Sequence, residues 1–106
     1  RYRESLTASG LRLPTVPADI EPAWHLFVVR SPARDDLQAH LSAQGVGTLI
    51  HYPVPPHLQP AYSTLGLGKG QLPLAERLAG EVLSLPMGPH LQTQQIETVG
   101  RVVRSM

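Results

Sequence analysis

Four prolines within the twelve residues His51–Tyr62 (HYPVPPHLQPAY) restrict this chain more than any other feature of its sequence. Pro53, Pro55, Pro56 and Pro60 each fix their own φ and push the preceding residue towards extended backbone. The segment leaves an apolar, strand-like run, Thr48-Leu49-Ile50, and crowds two histidines and two tyrosines among the prolines. A loop so restricted loses little further entropy when it presents His51, Tyr52, His57 and Tyr62 at fixed positions. Imidazole and phenol groups on a stiff loop at a strand exit are what binding sites use. The same residues also suit a proline-rich connector whose aromatics pack on the body of the domain.

Helix and strand signals alternate on either side of that loop. Tyr2 and Leu6 lie four apart before Gly10, which predicts a terminal helical turn with a glycine cap in Arg1–Ser9. Leu11–Ala23, broken by Pro14, Pro17 and Pro22, reads as a crossing segment. Trp24–Arg30 is apolar on both alternating faces and predicts a strand covered on both sides. Ser31 can then cap a helix and Pro32 can open it; Asp35 and Asp36 suit its dipole, and Leu37, His40 and Leu41 form an inward stripe. Gly45 and Gly47 bracket the exit into a strand at Thr48–Tyr52.

Beyond the loop, Pro73 opens a helix with Leu74, Leu78 and Val82 on one side. Gly80 inside it costs roughly 1 kcal/mol against Ala, which points to close packing. Leu83–Met87 predicts a short strand stopped by Pro86, Gly88 and Pro89. Thr93 can cap a last helix carrying Ile96, Val99, Val103 and Met106 on one face. The expected fold is α/β in two layers: a small, mostly antiparallel sheet with helices on one face. Residues 1–23 form the helix tail and crossing segment, and residues 24–106 form one small domain. The sheet's other face, too apolar for water, needs a partner.

Net charge is +1, which argues against a strong electrostatic pull on nucleic acid or membrane. There is no apolar run near 18 residues and no charged-then-apolar start, so a membrane span and a signal peptide are not expected. Cysteine is absent, which removes disulfides and thiolate metal sites. His51 and His57 are separated by no helical ligand spacing, and no acidic residue lies between Asp36 and Glu76 to complete a zinc site. No Gly-x-Ser-x-Gly turn and no P-loop spacing is present. The chain opens at Arg1 in a helical pattern, and at 106 residues it is small for an enzyme with an organic cofactor; it reads as a piece of a longer protein.

The order WHLFVVRSPARDDLQAHLSAQGVGTLIHYP (Trp24–Pro53), HYPVPPHLQPAY, LPLAERLAGEVLSLPMGPHL (Leu72–Leu91) and QIETVGRVV (Gln95–Val103) resembles the C-terminal part of the DegT/DnrJ/StrS family of pyridoxal-phosphate (PLP) sugar aminotransferases. The Gly-rich stretch Leu65–Gly70 departs from that pattern. The resemblance implies the C-terminal small domain of a fold-type I PLP transferase, packed against a large cofactor-binding domain. It further implies a cytoplasmic homodimer that moves an amino group, commonly from glutamate, onto a nucleotide-linked keto-sugar. Within the same family, a PLP-dependent sugar dehydratase is the alternative; a freestanding α/β small-ligand-binding module is the alternative from another class.

PLP chemistry needs a lysine for the Schiff base and an acid for the pyridinium nitrogen. The one lysine, Lys69, sits among glycines and matches no family position, so no catalytic or cofactor-binding residue is expected in this chain. What the resemblance leaves here is substrate contact through His51, Tyr52, His57 and Tyr62. Imidazole and phenol can hydrogen-bond sugar hydroxyls or phosphates, and their rings can stack on a base. His25 and His40 suit structural or interface roles, His90 a solvent-facing turn, and Arg30 either an exposed strand end or a phosphate contact.

Overall fold

The computed structural model describes residues 1–106. Its sheet is built around two antiparallel strands, β1 (Phe27–Arg30) and β2 (Val82–Leu85), paired Phe27 to Leu85 and Val29 to Leu83. A single bridge extends each edge, Arg12 beside Arg30 and Leu49 beside Ser84. The expected strand at Thr48–Tyr52 is therefore reduced to one paired residue. Leu49 exchanges both ladder hydrogen bonds with Ser84, at 3.2 and 2.8 Å, and the chain then turns away towards Pro53. The predicted strands at Trp24–Arg30 and Leu83–Met87 are also shorter than their apolar runs.

Four helices frame the sheet: α1 (Tyr2–Leu6), α2 (Arg34–Ala43), α3 (Pro73–Glu81) and α4 (Thr93–Arg104). Proline opens α3 as expected, because its missing N–H is not needed in a first turn. Gln92 rather than Thr93 caps α4, through a reciprocal box in which the Gln95 side chain accepts from the Gln92 N–H. Gly45, at φ +77°, closes α2 in the left-handed region that L side chains rarely adopt. Two 3-10 turns, Pro56–Leu58 and Pro60–Leu65, occupy the proline loop.

The core lies on the sheet face that carries Phe27, Val29, Leu83 and Leu85. Tyr2 and Leu6 of α1, Leu37 and Leu41 of α2, and Val99, Val102 and Val103 of α4 pack into it. Tyr2 stacks on Phe27 with centroids 4.9 Å apart and donates its hydroxyl to the Pro86 carbonyl at 2.7 Å. Burial pushes that phenol up to about 12. Gly100 permits the α1–α4 approach: a Cβ there would run into Ser5, whose own Cβ lies at 3.0 Å. Gly80, expected to permit close packing, has nothing within 4 Å of its Cβ position, so that expectation is corrected.

Other predicted faces also shift. In α3 the buried residue is Ala79, while Leu74 is exposed. Met106 lies beyond α4 and is exposed. His25 is exposed rather than a core residue of its strand. Arg30 neither lies free nor waits for a phosphate, because its guanidinium donates twice to Glu81 Oε2, at 3.1 and 2.7 Å. His40 has the structural role expected of it, with Nε2 at 3.0 Å from the Val102 carbonyl.

α3 runs into β2 with no intervening loop, and buried Arg34 secures the junction. Its Nη1 donates to the carbonyls of Ala79 and Val82 at 3.1 and 3.2 Å. These C-terminal carbonyls have no helical partner of their own, so α2 caps α3. No helix is long and apolar enough to cross a membrane.

Candidate functional site

The bridge between Leu49 and Ser84 determines where His51 goes. Residues directly opposite in an antiparallel pair share a face, and the residue two further along reaches the same side diagonally. His51 stands in that diagonal relation to Ser84, and its Nδ1 lies 2.8 Å from the buried Ser84 hydroxyl. The His51–Tyr52 peptide is cis, and the Tyr52 ring meets the imidazole edge-on, with centroids 5.4 Å apart and planes at 88°. Tyr52 is 70% exposed, so a flat aromatic face is open beside a half-buried imidazole.

His51 is also a shared wall between two shallow hollows. One, of about 410 Å³, has an apolar lining that includes Leu26, Leu49, Leu85 and Met87. The other, of about 320 Å³, lies between the proline loop and α3, against Val54, Pro56, Leu78 and Val82. Tyr52 borders the second. An apolar hollow with a few polar groups at its rim is the usual form of a small-molecule site.

His57 is placed differently. The 3-10 turn Pro56–Leu58 directs its ring inward, where the side chain is 3% exposed and Nε2 lies 2.9 Å from Glu76 Oε1. Glu76, in the first turn of α3, also accepts from the Gly70 N–H at 2.8 and 2.9 Å, one bond to each carboxylate oxygen. The His57 hydrogen bond, followed by that of Gly70, holds the Glu76 carboxyl below the usual carboxylate range. His57 Nδ1 is buried without a partner. The imidazole thus ties the proline loop to α3 and to the Gly-rich turn. Tyr62 lies on the second 3-10 turn, about half exposed, and lines neither hollow beside His51.

Of the four residues singled out from sequence, the fold brings His51 and Tyr52 together, sets His57 behind them and leaves Tyr62 apart. Sequence reasoning missed Ser84 and Glu76. Ser84 is the one polar residue of β2, and a lone hydroxyl in an apolar strand is the available signal. Glu76 reads simply as an acid favoured by the helix dipole until His57 is seen above it.

Lys69, the one amine on a side chain, is exposed in the Gly66–Gly70 turn and borders neither hollow. A Schiff-base lysine has to be buried beside its cofactor, so the residues of this chain do not fit a lysine-linked pyridoxal phosphate.

Comparison with known proteins gives concordant matches. The model of the DegT/DnrJ/EryC1/StrS aminotransferase family matches residues 1–104. The erythromycin biosynthesis sensory transduction protein EryC1 of Saccharopolyspora erythraea is 57% identical over 90 residues, covering 85% of this chain and 25% of that protein. The dTDP-3-amino-3,4,6-trideoxy-alpha-D-glucose transaminase of Streptomyces venezuelae is 52% identical over 95 residues, covering 90% and 25%. The chain therefore spans about a quarter of the length of these relatives. Among solved structures, S. venezuelae DesV in complex with a ketimine intermediate superposes with a TM-score of 0.92 at 48% identity, over 98% of this chain and 28% of that one. A DegT/DnrJ/EryC1/StrS aminotransferase from Brucella abortus superposes at 0.88 and 37% identity, over 99% and 28%.

Proposed function

This chain belongs to the DegT/DnrJ/EryC1/StrS aminotransferase family, and from that premise we propose that it forms the substrate-facing part of a PLP-dependent aminotransferase acting on nucleotide-linked keto-sugars. The single observation that carries the reading is the pairing of His51 and Tyr52, with one ring anchored on Ser84 and the other open at the rim of an apolar hollow. An anchored imidazole can hydrogen-bond a sugar hydroxyl or phosphate oxygen, and an exposed phenol ring can stack on a sugar or base. Several relatives carry nucleotide-sugar transaminase names, with dTDP- or UDP-linked substrates.

In this reading the chain binds and orients substrate, and the cofactor and its lysine belong to the remainder of a longer, relative-sized polypeptide. Glutamate is the amino donor, a homodimer is the working form and the cytoplasm is the compartment. Tyr62, half exposed on the second 3-10 turn, meets substrate apart from the His51–Tyr52 pair, while His57 holds the loop in place through Glu76.

The test is amino transfer from glutamate to a nucleotide-linked keto-sugar, catalysed by the polypeptide that carries this sequence when loaded with PLP. Formation of the amino-sugar, with loss of affinity for the sugar nucleotide in His51→Ala, supports the reading. Turnover without sugar-nucleotide dependence refutes it.

A further inference from the structure

We propose that Ser84 is a positioning residue that fixes His51 as a hydrogen-bond donor through Nε2, so that this part of the site selects an acceptor oxygen on its ligand. The inference deepens the substrate-facing reading above and rests on it. The Ser84 hydroxyl is buried, with the residue 4% exposed, and its one hydrogen-bond partner in the structure is His51 Nδ1 at 2.8 Å. A hydroxyl carries one proton, and a buried proton without an acceptor is a costly unmade bond.

Two polarities are available to this pair. If Nδ1–H donated to the serine oxygen, the hydroxyl proton would be left inside the fold with nothing to receive it. If the hydroxyl donates to Nδ1, both groups are satisfied. The second polarity leaves Nδ1 without a proton, and in a neutral imidazole the proton then resides on Nε2. Nε2 lies across the ring from Ser84, and no hydrogen bond in the structure engages it. The serine itself is held by both ladder bonds to Leu49, so its hydroxyl approaches the imidazole from a fixed direction.

His51 therefore offers an N–H from the wall between the two hollows. It suits a keto, hydroxyl or phosphate oxygen of the ligand and does not suit a ligand N–H or O–H that needs an acceptor. Its role is orientation of the ligand, and proton abstraction by Nε2 of the neutral ring is excluded.

The experiment is a long-range proton–nitrogen correlation spectrum of the whole polypeptide that carries this sequence, labelled with nitrogen-15 in its histidines, in which each imidazole reports its tautomer and whether its bare nitrogen is hydrogen-bonded. His51 is expected in the Nε2–H form, with its Nδ1 resonance displaced by an accepted hydrogen bond. Ser84→Ala abolishes that displacement and Ser84→Thr keeps it. An Nδ1–H pattern in the unaltered chain, or an Nδ1 resonance that Ser84→Ala leaves in place, overturns the proposal. Should Ser84→Ala fail to fold, the tautomer of the unaltered chain and the behaviour of Ser84→Thr decide it. The measurement needs no ligand, so its failure is distinct from failure of the substrate reading, which the kinetics of His51→Ala test.

Discussion

The imidazole of His57 and the carboxylate of Glu76, nineteen residues apart in sequence, meet at 2.9 Å, and that hydrogen bond closes the proline loop onto α3. The single N–H of Gly70 is shared between both Glu76 carboxylate oxygens, and that of Leu72 adds a longer bond, so one acid joins the loop, the Gly-rich turn and the first turn of a helix. Along the chain, His51 and Tyr52 lie between the bridge of Leu49 to Ser84 and this clamp.

Acid should open the clamp. The Glu76 carboxyl is held low by His57 and then Gly70, and that of Glu81 by Arg77 and then Arg30. A folded-state value below the unfolded one means that the unfolded chain binds the proton more readily. The stabilisation is thus complete above the ordinary glutamate value of about 4.3 and disappears as pH falls through the lowered folded values. Urea midpoints measured at successive pH values should fall within that window. Glu76→Gln should make the fall shallower, and identical profiles for the two proteins would remove Glu76 from the account.

Arg34 should matter more than Arg77. Replacing buried Arg34 by Met leaves the Ala79 and Val82 carbonyls without the donor that caps α3, at a cost of about 1–3 kcal/mol. Arg77→Met breaks a solvent-screened i,i+4 pair with Glu81 and should change stability much less. Equal losses in chemical denaturation would contradict the capping role.

Local signals in the sequence located α2, α3, α4 and the two strands, because the proline that opens α3, the acidic first turns of α2 and α3 and the apolar periods act within a few residues. The expected Ser31 cap and Pro32 opening of α2 are corrected, since the helix starts at Arg34 with Ala33 in the cap position. Pairing across long sequence separations was not legible in the same way. Thr48–Tyr52 has the composition of a strand, yet Pro53 ends it and only Leu49 finds a partner. The direction of His57 depends on Glu76, and the anchoring of His51 depends on Ser84; neither partner is local in sequence. The site was therefore visible as a set of residue types on a stiff loop, without the two residues that aim them.

The faces of α3 and β2 supply a packing test. Leu83 is fully buried, whereas Leu74, placed on an inward stripe by its spacing, is 65% exposed. Leu83→Ala should cost about 2–5 kcal/mol through lost burial and a residual cavity. Leu74→Ala should stay within about 0.5 kcal/mol of the parent. Comparable losses from thermal or urea unfolding would show that α3 buries the face its spacing suggests.

The role of the loop is tested by splitting KM between the two substrates of amino transfer. In the proposed function, His51 and Tyr52 touch the sugar nucleotide, and bond-making is assigned to the cofactor and its lysine elsewhere in the polypeptide. Removing the imidazole in His51→Ala, or the phenol hydroxyl in Tyr52→Phe, should therefore chiefly raise KM for the sugar nucleotide, with that for the amino donor little changed. One hydrogen bond of this kind is worth about 1–3 kcal/mol, or roughly ten- to hundredfold in kcat/KM. His51 should show the larger effect, because its ring is anchored on Ser84 while Tyr52 is free at the rim. His57→Ala should act differently: the buried ring holds the loop through Glu76, so its removal should lower stability as well as affinity. Kinetics unchanged in both His51→Ala and Tyr52→Phe, in folded protein, would return that pair to a purely structural role.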